Sequence, residues 1–116
     1  DVISVNCPHT PSTFHLMNAR RLALMKEGAV IVNTSRGEVI DQNALTRMLR
    51  AGEIGGAGLD VYEFEPQVPA GLIALENVTL LPHLGTSAQE VREQMGLMAV
   101  DNLVAFFEGR PVPNPV

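Results

Sequence analysis

Apolar residues gather in four short runs along the chain: DVISVN at residues 1–6, AVIVN at 29–33, GGAGLDV at 55–61 and VTLLP at 78–82. The first, second and fourth are rich in β-branched residues, and the clearest, AVIVN, gives way to the small polar residues Thr34 and Ser35, as a strand buried on both faces does. Pro8 ends the first, because proline cannot continue a central ladder. Between the runs the spacing turns helical. Asn18 is placed to cap a helix over Ala19–Lys26 that ends at Gly28, with Leu22 and Met25 three apart. Asp41 caps a second helix running to about Ala51, with Leu45, Met48 and Leu49 on one face and Gly52 just past its end. EFEPQVPAG reads as loop, and LIAL as one helical turn.

The last helix carries a start signal of its own: Ser87 and Glu90 have the spacing of a capping box. Val91, Met95, Met98, Ala99, Leu103 and Phe106 then recur at helical spacing up to Gly109, which predicts a helix of about twenty residues. RPVPNPV is an extended tail. Strand and helix alternate four times, so the expected fold is α/β, a parallel sheet with crossover helices. The sequence has no G-x-G-x-x-G turn and no P-loop. Four strands without a phosphate-binding turn read as the parallel-sheet half of a doubly wound Rossmann-type domain, which has six strands or more when complete.

Composition narrows the setting. At 116 residues and 46% hydrophobic content, one domain with a modest core is expected. A net charge of −5 with no Lys/Arg cluster points away from nucleic acid and anionic membrane as partners, and towards a small molecule or another protein. Cys7 is the only cysteine, so an internal disulfide is impossible and a reducing, cytoplasmic setting is expected. No apolar run approaches the ~20 residues of a membrane span. Because DVISVN opens a strand with no initiator methionine or leading turn, the chain is expected to be a piece of something longer.

Open α/β sheets place their chemistry at the carboxyl ends of strands. Arg36 follows the second run, Asp60 and Glu65 the third, and His83 the fourth. Moving hydride to or from a carbonyl carbon needs a cation to hold an anionic substrate, an acid/base to move the proton, and a partner that tunes the acid/base. Arg36, His83 and Glu65 match these roles by type. Arginine suits the first because its planar fork engages a carboxylate bidentately and stays charged. His83 lies just before the expected start of the last helix, whose positive end disfavours its protonated form, so a carboxylate neighbour is required; Glu65, aimed by Pro66, is the candidate.

Each residue also has a plainer reading. Arg36 suits a surface or helix-capping role, His83 a half-buried ring with its hydrogen bonds met, Glu65 a solvated loop position beside Glu63. Asp60, at the end of an apolar strand, must be hydrogen-bonded, and its plain role is to accept an N–H from the next loop. His9 and His15 share a loop without metal-ligand spacing, so no metal site is expected. Cys7 reads as a small packed thiol.

Taken in order, these segments resemble the D-isomer-specific 2-hydroxyacid dehydrogenases. NCPHTPST is similar to that family's C/T-P-L-T-P-x-T loop and IVNTSRGEVIDQNAL to its N-x-x-R-G-x-x-x-D-x-x-A-L signature. GAGLDVYEFEP resembles L-D-V-F-x-x-E-P, and LLPHLG the P-H-x-G turn. PHLGTS and FFEGRPVPN look most like the glyoxylate/hydroxypyruvate reductase and glycerate dehydrogenase branch. The resemblance implies an oxidoreductase using NAD or NADP, with Arg36 on the substrate carboxylate and keto oxygen, His83 as acid/base and Glu65 keeping His83 protonated. It places Cys7 and Pro8 beside the nicotinamide, Thr34, Ser35 and Arg36 along the ribose and ring, Asp60 at the carboxamide, and His83 to Gly85 alongside.

It also implies that residues 1–116 are the C-terminal portion of a dinucleotide-binding domain. The glycine-rich half and the substrate domain of the full-length protein, a homodimer in this family, lie outside them, so the chain is expected to be inactive alone. Two other readings stay open: a non-catalytic NAD(H)- or partner-binding module of this fold, and an inactive fragment.

Overall fold

The computed structural model describes residues 1–115 and resolves the chain into two compact units, Asp1–Leu84 and Gly85–Val116. The first holds a four-stranded parallel sheet in the order β1-β2-β3-β4, formed by Val2–Val5, Val30–Asn33, Gly56–Leu59 and Val78–Leu80. Val5 stands opposite Asn33, Asn33 opposite Leu59, and Leu59 opposite Leu80. This register brings the carboxyl ends of all four strands level. Every crossover steps in the same direction, as in one half of a doubly wound sheet.

The core beneath these ends is built from Val5, Leu22, Ile31, Ile40, Leu45, Leu49, Ile54, Leu59 and Leu72, all buried. Each fully buried aliphatic side chain stabilises the unit by about 1.5–3 kcal/mol relative to exposure. Helix α1 spans Ala19–Leu22 and packs on α2, Gln42–Ala51. Both carry their expected caps. Asn18 accepts the Arg21 N–H, and Asp41 accepts the Ala44 N–H at 2.9 Å, a bond worth about 1 kcal/mol. Gly52 closes α2 at φ 73°, the left-handed conformation that glycine adopts without strain.

Three expectations are corrected. Helix α1 stops at Leu22, four residues before Lys26, because Leu24 and Met25 bond back only three residues and tighten the chain into turns. The one-turn helix α3 is Ala70–Ile73, two residues earlier than LIAL. The capping box is not formed. Helix α4 spans Gln89–Phe107 with Ala88 at its N-cap and no side-chain cap bond, which leaves Ser87 one residue outside the position from which it could cap.

In the second unit, α4 is followed by a tail that turns back on the helix. Arg110 N–H bonds to Ala105 O, and Asn114 N–H to Asn102 Oδ1 at 2.9 Å, which buries Ala105. This helix buries no single face: Val91, Met95, Met98, Leu103 and Phe106 are exposed, as are Leu97, Val100, Val104 and Phe107. Apolar residues occupy every side of this helix, so no one stripe can be the buried one.

Candidate active site

The exit of β2 shows how local sequence sets the site. Asn33 is 1% exposed, a polar side chain at the end of an apolar strand, and it meets its bonding needs within the next turn. Its Oδ1 accepts the Ser35 N–H at 3.0 Å and the Ser35 hydroxyl at 2.9 Å, while its Nδ2 donates to Arg36 O at 3.0 Å. That turn presents Arg36 outward, with Nη1 donating to Ser35 O at 2.6 Å. Gly37 then passes so close to the backbone of Tyr62 that a Cβ there would overlap the Tyr62 carbonyl, so the residue after the arginine must be glycine. A turn of 3-10 helix over Gly37–Val39 follows.

The exits of β3 and β4 are tied by side chains. Asp60 is 6% exposed, and its Oδ1 accepts the Leu84 N–H at 2.7 Å, the plain role foreseen for it. The Tyr62 hydroxyl donates to Leu81 O at 2.7 Å. Between these anchors His83 adopts φ 55°, a left-handed conformation uncommon for a residue with a side chain. Its Nδ1 stands 2.7 Å from Glu65 Oε2, and Glu65 Oε1 accepts the Tyr62 N–H at 2.9 Å. The Glu65–Pro66 peptide is cis.

Glu65 is held below the ordinary carboxylate range. Its burial opposes ionisation, but the hydrogen bond from His83, the Tyr62 N–H and the positive charges of His83 and Arg36 together outweigh it. An ionised carboxylate can only accept, so His83 Nδ1 carries the hydrogen, and Nε2 is the nitrogen at which a proton comes and goes. Nε2 makes no hydrogen bond among the described residues. Burial, then the charge of Asp60, pushes the Tyr62 phenol up, which keeps it a neutral donor.

Arg36, Glu65 and His83, far apart in sequence, line one hollow of about 300 Å³ together with Gly37, Glu38, Tyr62, Glu63 and Phe64. A second hollow of about 690 Å³ lies at the β1 and β2 exits, where Asn6, Cys7, Pro8, His9, Ser35 and Arg36 line it. Of the other residues the resemblance assigned to a dinucleotide, Thr34 is exposed beside this second hollow without lining it, and Gly85 opens the second unit. The donor set suits the nicotinamide end of such a cofactor. A large open space adjoins Arg36, and a carboxylate at the Asp60 position is an acceptor of the type an amide NH₂ needs. No group of three or more His, Cys, Asp or Glu suited to a metal occurs among the described residues. No helix among them is long and apolar enough to cross a membrane.

Glu63 is 8% exposed at its side chain, with Oε1 2.8 Å from His15 Nε2 and Oε2 accepting the Gln42 N–H. Gln42 Oε1 accepts the Glu63 N–H in return. Sequence reasoning missed Asn33, Tyr62 and this Glu63–His15–Gln42 group. An asparagine closing an apolar strand three residues before the arginine was a usable signal for the first. Nothing local announces a bond across 48 residues.

Residues 1–85 match the family described as D-isomer specific 2-hydroxyacid dehydrogenase, NAD binding domain. The chain is 47% identical over its whole length to a glyoxylate reductase of Thermococcus litoralis, covering 35% of that protein. It is 44% identical to a hydroxyphenylpyruvate reductase of Plectranthus scutellarioides, again over all of this chain and 37% of the relative. The structure superposes along its full length on an NADPH-dependent glyoxylate/hydroxypyruvate reductase of Sinorhizobium meliloti in complex with NADP and malonate, with TM-score 0.96 and 40% identity, covering 36% of that chain. For the holo form of Rhodotorula graminis D-mandelate dehydrogenase the TM-score is 0.95 and the identity 42%, over all of this chain and 34% of that one. The chain spans about a third of the length of the curated relatives it matches.

Proposed function

The chain belongs to the D-isomer-specific 2-hydroxyacid dehydrogenase family, and from that premise we propose that residues 1–116 are the C-terminal portion of the dinucleotide-binding domain of a longer NAD(P)-dependent oxidoreductase. The reaction is reduction of a short 2-keto acid to the D-2-hydroxy acid, with glyoxylate or hydroxypyruvate as the substrate. What supports this best is the 2.7 Å contact of His83 Nδ1 with Glu65 Oε2 beside a hollow that Arg36 also lines.

In this reading Arg36 grips the substrate carboxylate with its planar fork and polarises the keto oxygen, a role lysine fills less well because it offers a point charge. Glu65 keeps hydrogen on Nδ1 and stabilises the imidazolium, so that Nε2 delivers its proton to the keto oxygen as the alcohol forms. Oxidation runs the same path backwards, with Nε2 taking the hydroxyl proton. Cys7, Pro8, Thr34, Ser35, Asp60 and Gly85 would hold the nicotinamide end of the cofactor, which supplies the hydride when bound. The chain covers 35% of the Thermococcus litoralis relative, which supports reading turnover as a property of a longer protein. A homodimer working in the cytoplasm is part of the same proposal; the family supports the first, and the single cysteine the second.

The test is a steady-state assay of the longer enzyme with NADH and NADPH against a panel of short 2-keto acids. Arg36→Ala is expected to raise KM and lower kcat/KM by at least ~100-fold, the scale of a lost charge-assisted contact that strengthens in the transition state. A loss below ~5-fold on every keto acid contradicts the assignment.

A further inference from the structure

Tyr62 is bonded to Glu65 and to the backbone that leads into His83, without lying in the path of the proton. Its backbone N–H donates to Glu65 Oε1 at 2.9 Å, and its hydroxyl donates to Leu81 O at 2.7 Å, two residues before His83. The ring is 6% exposed, so the hydroxyl works out of water, where a hydrogen bond is stronger and harder to replace. A hydroxyl has one hydrogen; the Leu59 carbonyl at 3.2 Å is the weaker acceptor, and the Leu81 carbonyl receives it.

This bond matters because of the backbone it holds. His83 sits at φ 55°, where a side-chain-bearing residue stays only if its surroundings insist. On its far side Asp60 holds the Leu84 N–H; on its near side Leu81 is held through its N–H by Leu59 O at 2.8 Å and through its carbonyl by Tyr62. The family signature that this stretch resembles has phenylalanine at this position. A phenylalanine fills the same space and keeps the backbone N–H to Glu65, but has nothing to give the Leu81 carbonyl.

We propose that the Tyr62 hydroxyl is a positioning residue for His83: by gripping the Leu81 carbonyl it keeps the His83 backbone in its left-handed conformation and the imidazole on Glu65. The proposal rests on the assignment of His83 as the acid/base.

The experiment compares Tyr62→Phe and His83→Gln in the longer enzyme. Tyr62→Phe is expected to lower kcat about 3- to 30-fold with the keto-acid KM within about 2-fold, because substrate still meets Arg36 while the proton donor is less often in place. The Glu65 carboxyl, followed by ¹³C NMR, is expected to titrate closer to its ordinary range in this variant, since the His83 contact that holds it low is populated less. In the unsubstituted protein the Tyr62 hydroxyl proton is expected in slow exchange with water, a reading that needs no variant to fold. Unchanged kcat and an unchanged Glu65 titration in Tyr62→Phe overturn the proposal while leaving His83 in its role, provided His83→Gln is inactive. Fast exchange of the hydroxyl proton overturns it as well. If His83→Gln itself keeps full turnover, the acid/base assignment falls, and the positioning role with it.

Discussion

Of the three histidine–glutamate pairs among the described residues, His9 to Glu38 is long at 3.9 Å, and the other two are nearly twins by contact distance: His83 to Glu65 at 2.7 Å and His15 to Glu63 at 2.8 Å. In each the histidine has a left-handed backbone, φ 55° and φ 47°. What separates them is the surroundings. Glu63 is nearly out of water and shares its carboxylate with the Gln42 backbone, while His15 lies stacked on Phe14 with ring centroids 4.0 Å apart. That pair joins the loop after β1 to the loop after β3 and to the start of α2. Glu65 and His83 are 35% and 40% exposed at their side chains, and they share a hollow with Arg36. Glu63 also lines that hollow, but its two oxygens are taken by His15 and the Gln42 N–H; His83 meets the same space with Nε2 unbonded among the described residues and Arg36 beside it. Residue types and distance alone would not tell a tie from an acid/base.

The two pairs depend on one close approach, which gives the largest expected effect of a stability measurement. Gly37 lies against the Tyr62 carbonyl and the Glu63 N–H. Gly37→Ala must push the β3 exit away, and the expected cost is about 3 kcal/mol or more, the upper range for overpacking, because backbone cannot give way as a side chain can. Urea denaturation of the chain checks it. A loss under ~0.5 kcal/mol would mean the approach is softer than the geometry shows.

Glu63→Ala sharpens the contrast at the next level down. It strips His15 of its partner and leaves the Gln42 N–H unmet in a half-buried place, for an expected loss of about 1–3 kcal/mol with kcat of the longer enzyme within ~3-fold. Denaturant midpoints paired with kinetics would read both numbers. A large fall in kcat at unchanged stability would reverse the roles given to the two pairs.

The smallest effect is one of pH. Because the folded state lowers the Glu65 carboxyl below its ordinary value of about 4.5, the pair stabilises the fold fully above that value. The contribution is lost as pH falls through the lowered value. Glu65→Gln is expected to flatten the melting temperature against pH below about 4.5 and to leave its slope above that unchanged. Exposure of the pair keeps the change small. An unaltered acid limb contradicts the electrostatic role of Glu65.

What the sequence disclosed follows the same division between local and distant causes. The four strands, the Asp41 cap and the Gly52 stop were legible because each is decided within a few residues, by β-branching, a capping oxygen or a left-handed glycine. Arg36, Glu65 and His83 were found because strand ends in an open sheet converge, so three separate exits could be placed near one another before any distance was known. Ser87 misled because an S-x-x-E spacing caps only if the helix starts on the serine, and α4 starts its first turn later. Glu63 carried no local signal, since its partner lies 48 residues away. Tyr62 was invisible for the same reason: its value lies in a carbonyl 19 residues on.

The central claim, that His83 moves the proton while His15 only ties loops, is tested most directly by measuring kcat for keto-acid reduction in the longer enzyme with His83→Gln and with His15→Gln, side by side. The expected result is a loss of about 10²–10⁴-fold for the first, the usual worth of general acid–base catalysis, and less than ~5-fold for the second. Equal losses, or a larger loss for His15→Gln, would contradict it.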